Sequence, residues 1–214
     1  MARRRIPPSD ERPAQHAARP AVEPVGLRII GGRFRGRKLR YAGDLRVRPM
    51  KDRVREAVFN LLGPSVRDKH VLDLFAGTGA LGLEAVSRGA ARATLIEQHH
   101  PTARALRENV ALLGLESDAE VIVANAFLRA RWQDRLGDGP WLVFCSPPYA
   151  FYVERAGPML ELLGGLIAAA PAGSEFVVEA DQRFDFQQLP DPAGWDVRSY
   201  PPAVVGIYVK LPGP

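Results

Sequence analysis

From residue 70 onward, short apolar runs alternate with longer segments in which apolar residues recur every three to four positions. The short runs predict strands, because a strand covered on both faces reads as a nearly continuous hydrophobic stretch. They lie at 71–75, 93–97, 120–124, 141–145 and 175–180, with a closing pair near 195–200 and 204–211. The periodic segments predict helices at 79–89, 102–113 and 154–169. Such alternation specifies an α/β fold in which helices cover both faces of a mostly parallel, doubly wound sheet.

The closing pair of strands is joined by too few residues for a helix, so these strands are expected to be antiparallel neighbours. Before the sheet, residues 27–39 hold short β-type runs separated by glycines, which predict a small hairpin with a cationic outer face. A helix is predicted at about 50–62, and its apolar face excludes four charged residues, Asp52, Arg53, Arg55 and Glu56.

Domain boundaries follow from the same pattern. Residues 1–26 are rich in Pro, Ala and Arg and are expected to be disordered. The hairpin and the first helix make a basic extension at 27–62, and the alternating strands and helices make a main domain at 63–214.

The net charge of +5 over 214 residues hides an uneven distribution. Between Arg28 and Arg55, eleven Lys and Arg and two acids give a local charge of +9, whereas residues 56–214 carry thirteen cations and nineteen acids. A solvated surface is the ordinary reason for a run of charge, but this density favours a phosphate-binding element with RNA or DNA as partner. The candidates for phosphate contacts are Arg28, Arg33, Arg35, Arg37, Lys38, Arg40 and Arg48.

Composition also limits the setting in which the protein works. The single cysteine, Cys145, excludes an internal disulfide and fits a reducing, cytoplasmic location. No apolar run approaches the ~20 residues that cross a bilayer, so no membrane partner is expected. The four histidines lack the spacing of metal ligands, so no metal is expected, and a monomer is the expected form.

The segment from Val71 to Gly82 runs from an apolar strand through an acid into a glycine-rich turn and a helix. Gly77, Gly79 and Gly82 fit the G-x-G-x-x-G spacing of adenosine-cofactor sites, NAD sites among them. Asp73 favours S-adenosylmethionine, because its carboxylate can accept a hydrogen bond from an α-ammonium group that NAD lacks. The candidate contacts to the methionine part are Asp73, Gly77 and Gly79, and further candidate contacts to the cofactor are Phe75, Ala76 and Thr78.

Polar residues also end the next two predicted strands. Glu97 is the last residue of the second predicted strand, where its two oxygens can accept from paired ribose hydroxyls. Asn125 follows the third strand, where its amide can bond the adenine edge. Each alone is equally well a solvated loop residue, but their order after successive strands favours a cofactor role.

The loop Ser146-Pro147-Pro148-Tyr149 follows the fourth predicted strand, at the end of a sheet where α/β proteins place their active sites. The prolines stiffen the backbone and leave carbonyls without a neighbouring N–H, and the tyrosine ring offers a face for base stacking. Acceptors that bond the hydrogens of an exocyclic base amine steer its lone pair toward a methyl donor. The candidate catalytic residues are therefore Ser146, Pro147, Pro148 and Tyr149.

Seven segments together form a recognisable pattern: Leu27–Gly32, Arg35–Leu39, Arg48-Pro49, Asp52–Glu56, Asp73–Gly82, Leu95–Glu97 and Pro147–Tyr149. The pattern resembles the 16S ribosomal RNA guanine-N2 methyltransferases of the RsmD type over nearly the whole chain beyond residue 26. The resemblance implies a Rossmann-like sheet of about seven strands, S-adenosylmethionine as donor, and 16S rRNA or the small ribosomal subunit as partner. It also implies that the Asp52–Glu56 segment lies against the cofactor site, with Arg53 and Glu56 as candidate contacts.

Two positions depart from this family pattern. Ser146 stands where the family usually has Asp or Asn, and a serine hydroxyl accepts a proton less well, which would leave that task to water or the Pro147 carbonyl. General-base assistance typically contributes ~10²–10⁴-fold, so slow turnover is expected from this change. Met50-Lys51 stands where a small hydroxyl residue commonly follows Arg48-Pro49.

The leading interpretation is therefore an RNA N-methyltransferase. Ser146 motivates one alternative, a catalytically weakened RNA-binding relative that still holds S-adenosylmethionine. A methyltransferase for DNA adenine or a protein amide is another, because Pro-Pro-aromatic loops also serve those amines. An NAD-dependent dehydrogenase is the weakest, since no acid–base pair for hydride transfer follows the glycine turn.

Overall fold

The computed structural model describes residues 26–41 and 50–213, and their centre is a single seven-stranded sheet. Its strands are β1 (His70–Asp73), β2 (Arg92–Ile96), β3 (Ala119–Ile122), β4 (Trp141–Cys145), β5 (Glu175–Asp181), β6 (Trp195–Tyr200) and β7 (Ala203–Val209). They lie in the order β3-β2-β1-β4-β5-β7-β6. The neighbours from β3 to β5 are parallel, whereas β7 is antiparallel to both β5 and β6. The predicted α/β sheet with antiparallel closing strands is confirmed.

Helices cover both faces of this sheet. They are α1 (Asp52–Leu62), α2 (Ala80–Ser87), α3 (His100–Leu113), α4 (Phe151–Glu154) and α5 (Ala156–Ala169). Val71 and Leu142 pack in one cluster with α1, α2 and α3, while Leu72 and Val143 pack in another with α5. Because successive strand residues point to opposite faces, α1, α2 and α3 lie on one side of the sheet and α5 on the other. The sheet is thus doubly wound.

The predicted boundaries agree with these elements to within a few residues, with one division that the sequence did not predict. The predicted helix at 154–169 is α5, preceded by the separate turn α4, because Arg155 leaves helical torsions at φ −134° and ψ 32°. Within residues 26–41 and 50–213, no helix is both long enough and apolar enough to cross a membrane.

Residues 27–41, called the basic arm below, fold back on themselves as a minimal hairpin. One antiparallel bridge joins Arg28 to Lys38, and the Leu39 amide donates to the Leu27 carbonyl at 2.8 Å. A 3-10 turn at Gly32–Phe34 forms its tip. The predicted hairpin therefore exists, with a single bridge rather than two extended strands.

The basic arm is fastened to α2 by buried polar side chains. Glu84, fully buried, accepts from the backbone amides of Ile30 and Gly31, each at 2.7 Å. The Ser87 hydroxyl donates to the Gly31 carbonyl at 2.6 Å. Gly32 adopts φ +73°, and a Cβ there would lie 1.9 Å from the Ser87 carbonyl oxygen, so only glycine permits this close approach.

Arg55 is fully buried, so the prediction that it points away from the packed side of α1 is wrong. Its Nη2 donates to the Arg28 carbonyl at 2.6 Å and to Asp52 at 2.9 Å. Its Nε lies 3.9 Å from the Glu84 carboxylate. Burial lowers the pKa of Arg55, while Asp52 and Glu84 oppose that effect. The basic arm covers this side of α1, which the helical period alone does not reveal.

Candidate active site

A cavity of about 830 Å³ opens at the carboxyl ends of β1, β2, β4 and β5. It lies where the strand order reverses between β1 and β4, the place at which open α/β sheets bind ligands. No cluster of His, Cys, Asp and Glu in the described part of the chain is arranged to hold a metal. The predicted site residues that line this cavity are Asp73, Phe75, Ala76, Gly77, Thr78, Glu97, Ser146, Pro147, Pro148 and Tyr149.

The glycine turn between β1 and α2 depends on torsions that other residues avoid. Gly77 has φ +53° and Gly79 has φ +86°. A Cβ on Gly79 would lie 2.5 Å from a Leu106 methyl group, so packing excludes a side chain there as well. Gly79 does not line the cavity, and its part is to turn the chain so that its neighbours do.

Asp73 is the buried acid at the end of β1. Its Oδ2 accepts from the Gly82 amide at 3.1 Å, while its Oδ1 is buried and has no hydrogen-bond partner among the described residues. Burial raises the pKa of Asp73 to about 7, and the backbone amides of Gly82 and Phe75 oppose that rise. A buried acceptor without a hydrogen bond lowers the stability of the fold unless a donor from a ligand bonds it. The residues present therefore fit a ligand with a cationic amine, such as S-adenosylmethionine.

Glu97 and Asn125 both accept hydrogen bonds from backbone amides of the site. Glu97 accepts from the Gly77 amide at 3.0 Å and from the His99 amide at 2.7 Å. Each of its oxygens keeps a lone pair for a ligand hydroxyl, because a carboxylate has about four acceptor sites. Asn125 accepts from the Phe127 amide at 3.1 Å and does not line the cavity, so the structure does not bring its amide to the predicted adenine edge.

Three phenylalanines form an apolar corner at the same site. Phe75 and Phe151 line the cavity, and Phe127 packs against both, with ring centroids 6.0–6.2 Å apart. The Arg155 guanidinium lies 4.8 Å from the centre of the Phe151 ring. The predicted site included only Phe75, because the other two rings follow β3 and β4, far along the chain.

Ser146 and Tyr149 meet a carboxylate that the sequence did not predict as a site residue. Cys145 pairs with Val178 across β4 and β5, so the next residues, Ser146 and Glu179, lie side by side. The Ser146 hydroxyl donates to Glu179 Oε2, and the Tyr149 hydroxyl donates to Glu179 Oε1 at 2.8 Å. Burial raises the pKa of Glu179, and the two hydroxyls oppose that rise. In the sequence, the one indication of a site role for Glu179 was its position near the end of the fifth predicted strand. That position becomes informative only once the strand order shows that β5 lies next to β4.

The start of α1 reaches the cavity through residues other than those predicted. Met50, Lys51 and Val54 line it, whereas Arg53 and Glu56 are exposed and do not. Val54 turns inward with the packed face of α1, which leaves Arg53 and Glu56 on the outside. The connection between β6 and β7 closes another side, through Tyr200, Pro202 and Ala203, none of which the sequence predicted.

The cations of the basic arm divide into two groups. Arg28, Arg33 and Arg40 form exposed ion pairs with acids elsewhere on the surface, at 2.9–3.3 Å. A second group is exposed and makes no ion pair with any residue in 26–41 or 50–213: Arg35, Arg37 and Lys38. Arg48 falls outside the described residues.

Comparison with known proteins identifies the family of this chain. Residues 27–192 match the family described as "Conserved hypothetical protein 95". The chain is 38% identical over 173 residues to "Ribosomal RNA small subunit methyltransferase D" of Escherichia coli K12, covering 80% of this chain and 82% of that protein. A putative methyltransferase, yhhF, from Escherichia coli has a similar structure, with a TM-score of 0.67, 35% identity, and coverage of 86% of this chain and 98% of that one.

A more distant likeness concerns the fold alone. It is to the Thermus thermophilus 16S rRNA N2 G1207 methyltransferase (RsmC) in complex with AdoMet and guanosine, with a TM-score of 0.61 and 21% identity, covering 78% of this chain and 44% of that one. The family match and the curated relative confirm the resemblance that the sequence motifs carried. The chain belongs to the RsmD family of small-subunit ribosomal RNA methyltransferases.

Proposed function

We propose that the protein transfers a methyl group from S-adenosylmethionine to the exocyclic N2 of a guanine in 16S ribosomal RNA. One observation carries the proposal: the unsatisfied Asp73 carboxylate and the Ser146–Tyr149 loop line the same cavity. A methyl donor and a base amine must meet in one space, and this cavity offers an acceptor for the first and a loop for the second. The name of the Escherichia coli relative supports rRNA as the substrate, and the resemblance of the sequence motifs supports guanine N2 as the acceptor.

On the cofactor side, the chain supplies an acceptor for each polar part of the ligand. S-adenosylmethionine, when bound, supplies a methyl group attached to a positively charged sulfur. Asp73 Oδ1 accepts from the α-ammonium, and Glu97 accepts from the ribose hydroxyls. Phe75 and Phe151 enclose the adenine, while Asn125 supports this side by holding the Phe127 amide.

On the acceptor side, the loop after β4 positions the target base. The Pro147 carbonyl and the Ser146 hydroxyl bond the hydrogens of the guanine amine, which directs its lone pair into the cavity. Tyr149 provides a ring for stacking, a contact worth ~1–3 kcal/mol per base in single-stranded binding. Most of the rate then comes from holding the reacting atoms in line.

The basic arm holds the RNA backbone. Arg35, Arg37 and Lys38 make the first phosphate contacts, because they carry no competing acid among the described residues. The paired cations, Arg28, Arg33 and Arg40, exchange an exposed carboxylate for a phosphate, which costs little because exposed ion pairs contribute only ~0–1 kcal/mol. Arg48 stays a predicted contact. A ribosomal RNA substrate places the protein in the cytoplasm, where we propose that it acts as a monomer.

The test is a nucleoside inventory of 16S RNA, measured by mass spectrometry, from cells with and without the gene. The deletion strain should lack one N2-methylguanosine, and the wild-type gene should restore it. A gene for Asp73→Asn should not restore it, whereas Glu175→Gln, a matched change at the amino end of β5, should. An unchanged inventory in the deletion strain refutes the proposal.

A radiolabel competition in vitro separates the alternative substrates. Purified protein receives 16S RNA, DNA and a protein pool in one reaction, and the label should enter the RNA. Label in DNA adenine or in a protein amide would refute the RNA assignment. Binding of RNA and cofactor without transfer would instead identify a catalytically weakened relative.

A further inference from the structure

The loop after β4 begins with Ser146, and the partner of its hydroxyl lies on the neighbouring strand β5. The serine itself supplies neither a carboxylate nor an amide. The structure brings a carboxylate to the same place from β5, since Glu179 accepts hydrogen bonds from both hydroxyls of the loop, those of Ser146 and Tyr149. The acceptor absent from the loop is therefore present beside it.

The surroundings of Glu179 suit a group that takes up a proton. The residue is 6% exposed, yet it lines the cavity that holds the proposed reaction. No cation pairs with it among the described residues, because its two oxygens bond only neutral hydroxyls. A buried carboxylate without a positive partner gains from protonation.

We propose that Glu179 accepts, through Ser146, the proton that guanine N2 loses on methylation. This inference rests on the proposed function and names the base for it. The Ser146 oxygen accepts from N2–H while its own proton is donated to Glu179 Oε2. The N2 lone pair forms the new bond to the methyl carbon, and the sulfur keeps the electron pair of the bond that breaks. The N2 proton then passes to Ser146 as the serine proton passes to Glu179, which ends neutral and later releases its proton to water.

The charges around Glu179 decide how its titration is measured. Ser146 and Tyr149 contact it directly, and Tyr152 of α4 is close enough to interact with it electrostatically. The other titratable side chains on the cavity wall are Lys51, Asp73, Glu97, His99 and Tyr200. Burial also raises the pKa of Asp73, to about 7, which lies within the pH range of the test. The variants are therefore compared at saturating cofactor, so that changes in cofactor binding do not alter the rate.

The experiment measures single-turnover methylation of 16S RNA from pH 5 to pH 9 by the wild type and by Glu179→Gln. The wild-type rate should rise with pH along one acid limb, because Glu179 must be ionised to take up the proton. Glu179→Gln should lose ~10²–10⁴-fold, the usual contribution of a general base, and should lose the limb. Glu175→Gln, which removes a buried carboxylate from the other end of β5, should keep both rate and limb.

A second variant and a second readout separate chemistry from folding. Adding Ser146→Asp to Glu179→Gln restores a carboxylate within the loop and should recover most of the rate. In carbon-13 NMR of glutamate-labelled protein, one carboxyl should titrate above the ordinary glutamate range, and that signal should be missing from Glu179→Gln. S-adenosylhomocysteine should bind the wild type and Glu179→Gln with equal affinity.

The outcomes are distinct. A Glu179→Gln rate within threefold of wild type overturns the proposal, as does a slower rate that keeps the acid limb, because Glu179 would then only position the loop. Failure of Ser146→Asp to restore the rate also overturns it. If the wild-type protein methylates no 16S RNA, the proposed function is refuted, and the proposal about Glu179 is refuted with it.

Discussion

Replacing Asp73 by Asn should stabilise the ligand-free protein at alkaline pH while weakening its hold on the cofactor. Burial raises the pKa of Asp73 from 3.8 to about 7. A carboxyl whose pKa is raised on folding contributes stability at low pH, and that stability is lost as the pH rises through the folded pKa. Each pKa unit corresponds to about 1.36 kcal/mol. The interval from pH 5 to the folded pKa of about 7 is two pH units. The free energy of unfolding of the wild type should therefore fall by roughly 2.7 kcal/mol between pH 5 and pH 8 through this one group.

The asparagine variant escapes this loss because its side chain does not ionise. Its amide oxygen still accepts from Gly82, and its NH₂ group replaces the oxygen that has no partner. Urea unfolding of ligand-free protein at pH 5 and pH 8 measures the difference between the two proteins. Asp196→Asn, an exposed change on β6, is the matched control and should unfold in parallel with the wild type.

The same variant should bind S-adenosylhomocysteine roughly 10- to 100-fold more weakly by calorimetry, because a hydrogen bond to a charged group contributes about 1.5–3 kcal/mol. Higher stability together with weaker binding distinguishes a lost ligand contact from damage to the fold. The reasoning about Asp73 is refuted if wild type and Asp73→Asn show parallel stability profiles between pH 5 and pH 8, or if they bind the ligand equally.

Three further predictions concern the basic arm and the glycine turn. Glu84→Ala should lower the free energy of unfolding by about 3–5 kcal/mol, because the Ile30 and Gly31 amides lose their acceptor. The control Glu108→Ala, which removes an exposed ion pair, should cost under ~1 kcal/mol. Urea denaturation compares the two variants. Gly79→Ala should destabilise the fold by at least ~1 kcal/mol in the same assay, through its positive φ and its contact with Leu106, and a neutral result would contradict the packing described. Replacing Arg35, Arg37 and Lys38 together by Ala should reduce the slope of log affinity for RNA against log salt concentration by roughly 2, at ~0.7 per lost phosphate contact. An unchanged slope would exclude these three cations from the RNA interface.

Most of the sheet could be predicted from the sequence, and so could several of the residues that line the cavity, because their signals are local. Buried parallel strands read as continuous apolar runs, and the acid, the glycine turn and the Ser146–Tyr149 loop each occupy one short segment. Glu179 could not be assigned in this way, because its role depends on β5 lying next to β4 in one particular register. The burial of Arg55 was hidden for a related reason. Its partners, the Arg28 carbonyl and Glu84, are 27 or more residues away along the chain.

The eight-residue helix α2 connects the proposed cofactor site to the proposed RNA-binding arm. The amide of Gly82 is held by Asp73, the acid proposed to bind the cofactor, and two residues later Glu84 holds the arm proposed to bind RNA. A shift of α2 would therefore move both the proposed cofactor acid and the proposed RNA-binding arm. If RNA changes the affinity for the cofactor through α2, thermodynamic linkage requires the cofactor to change the affinity for RNA by the same factor.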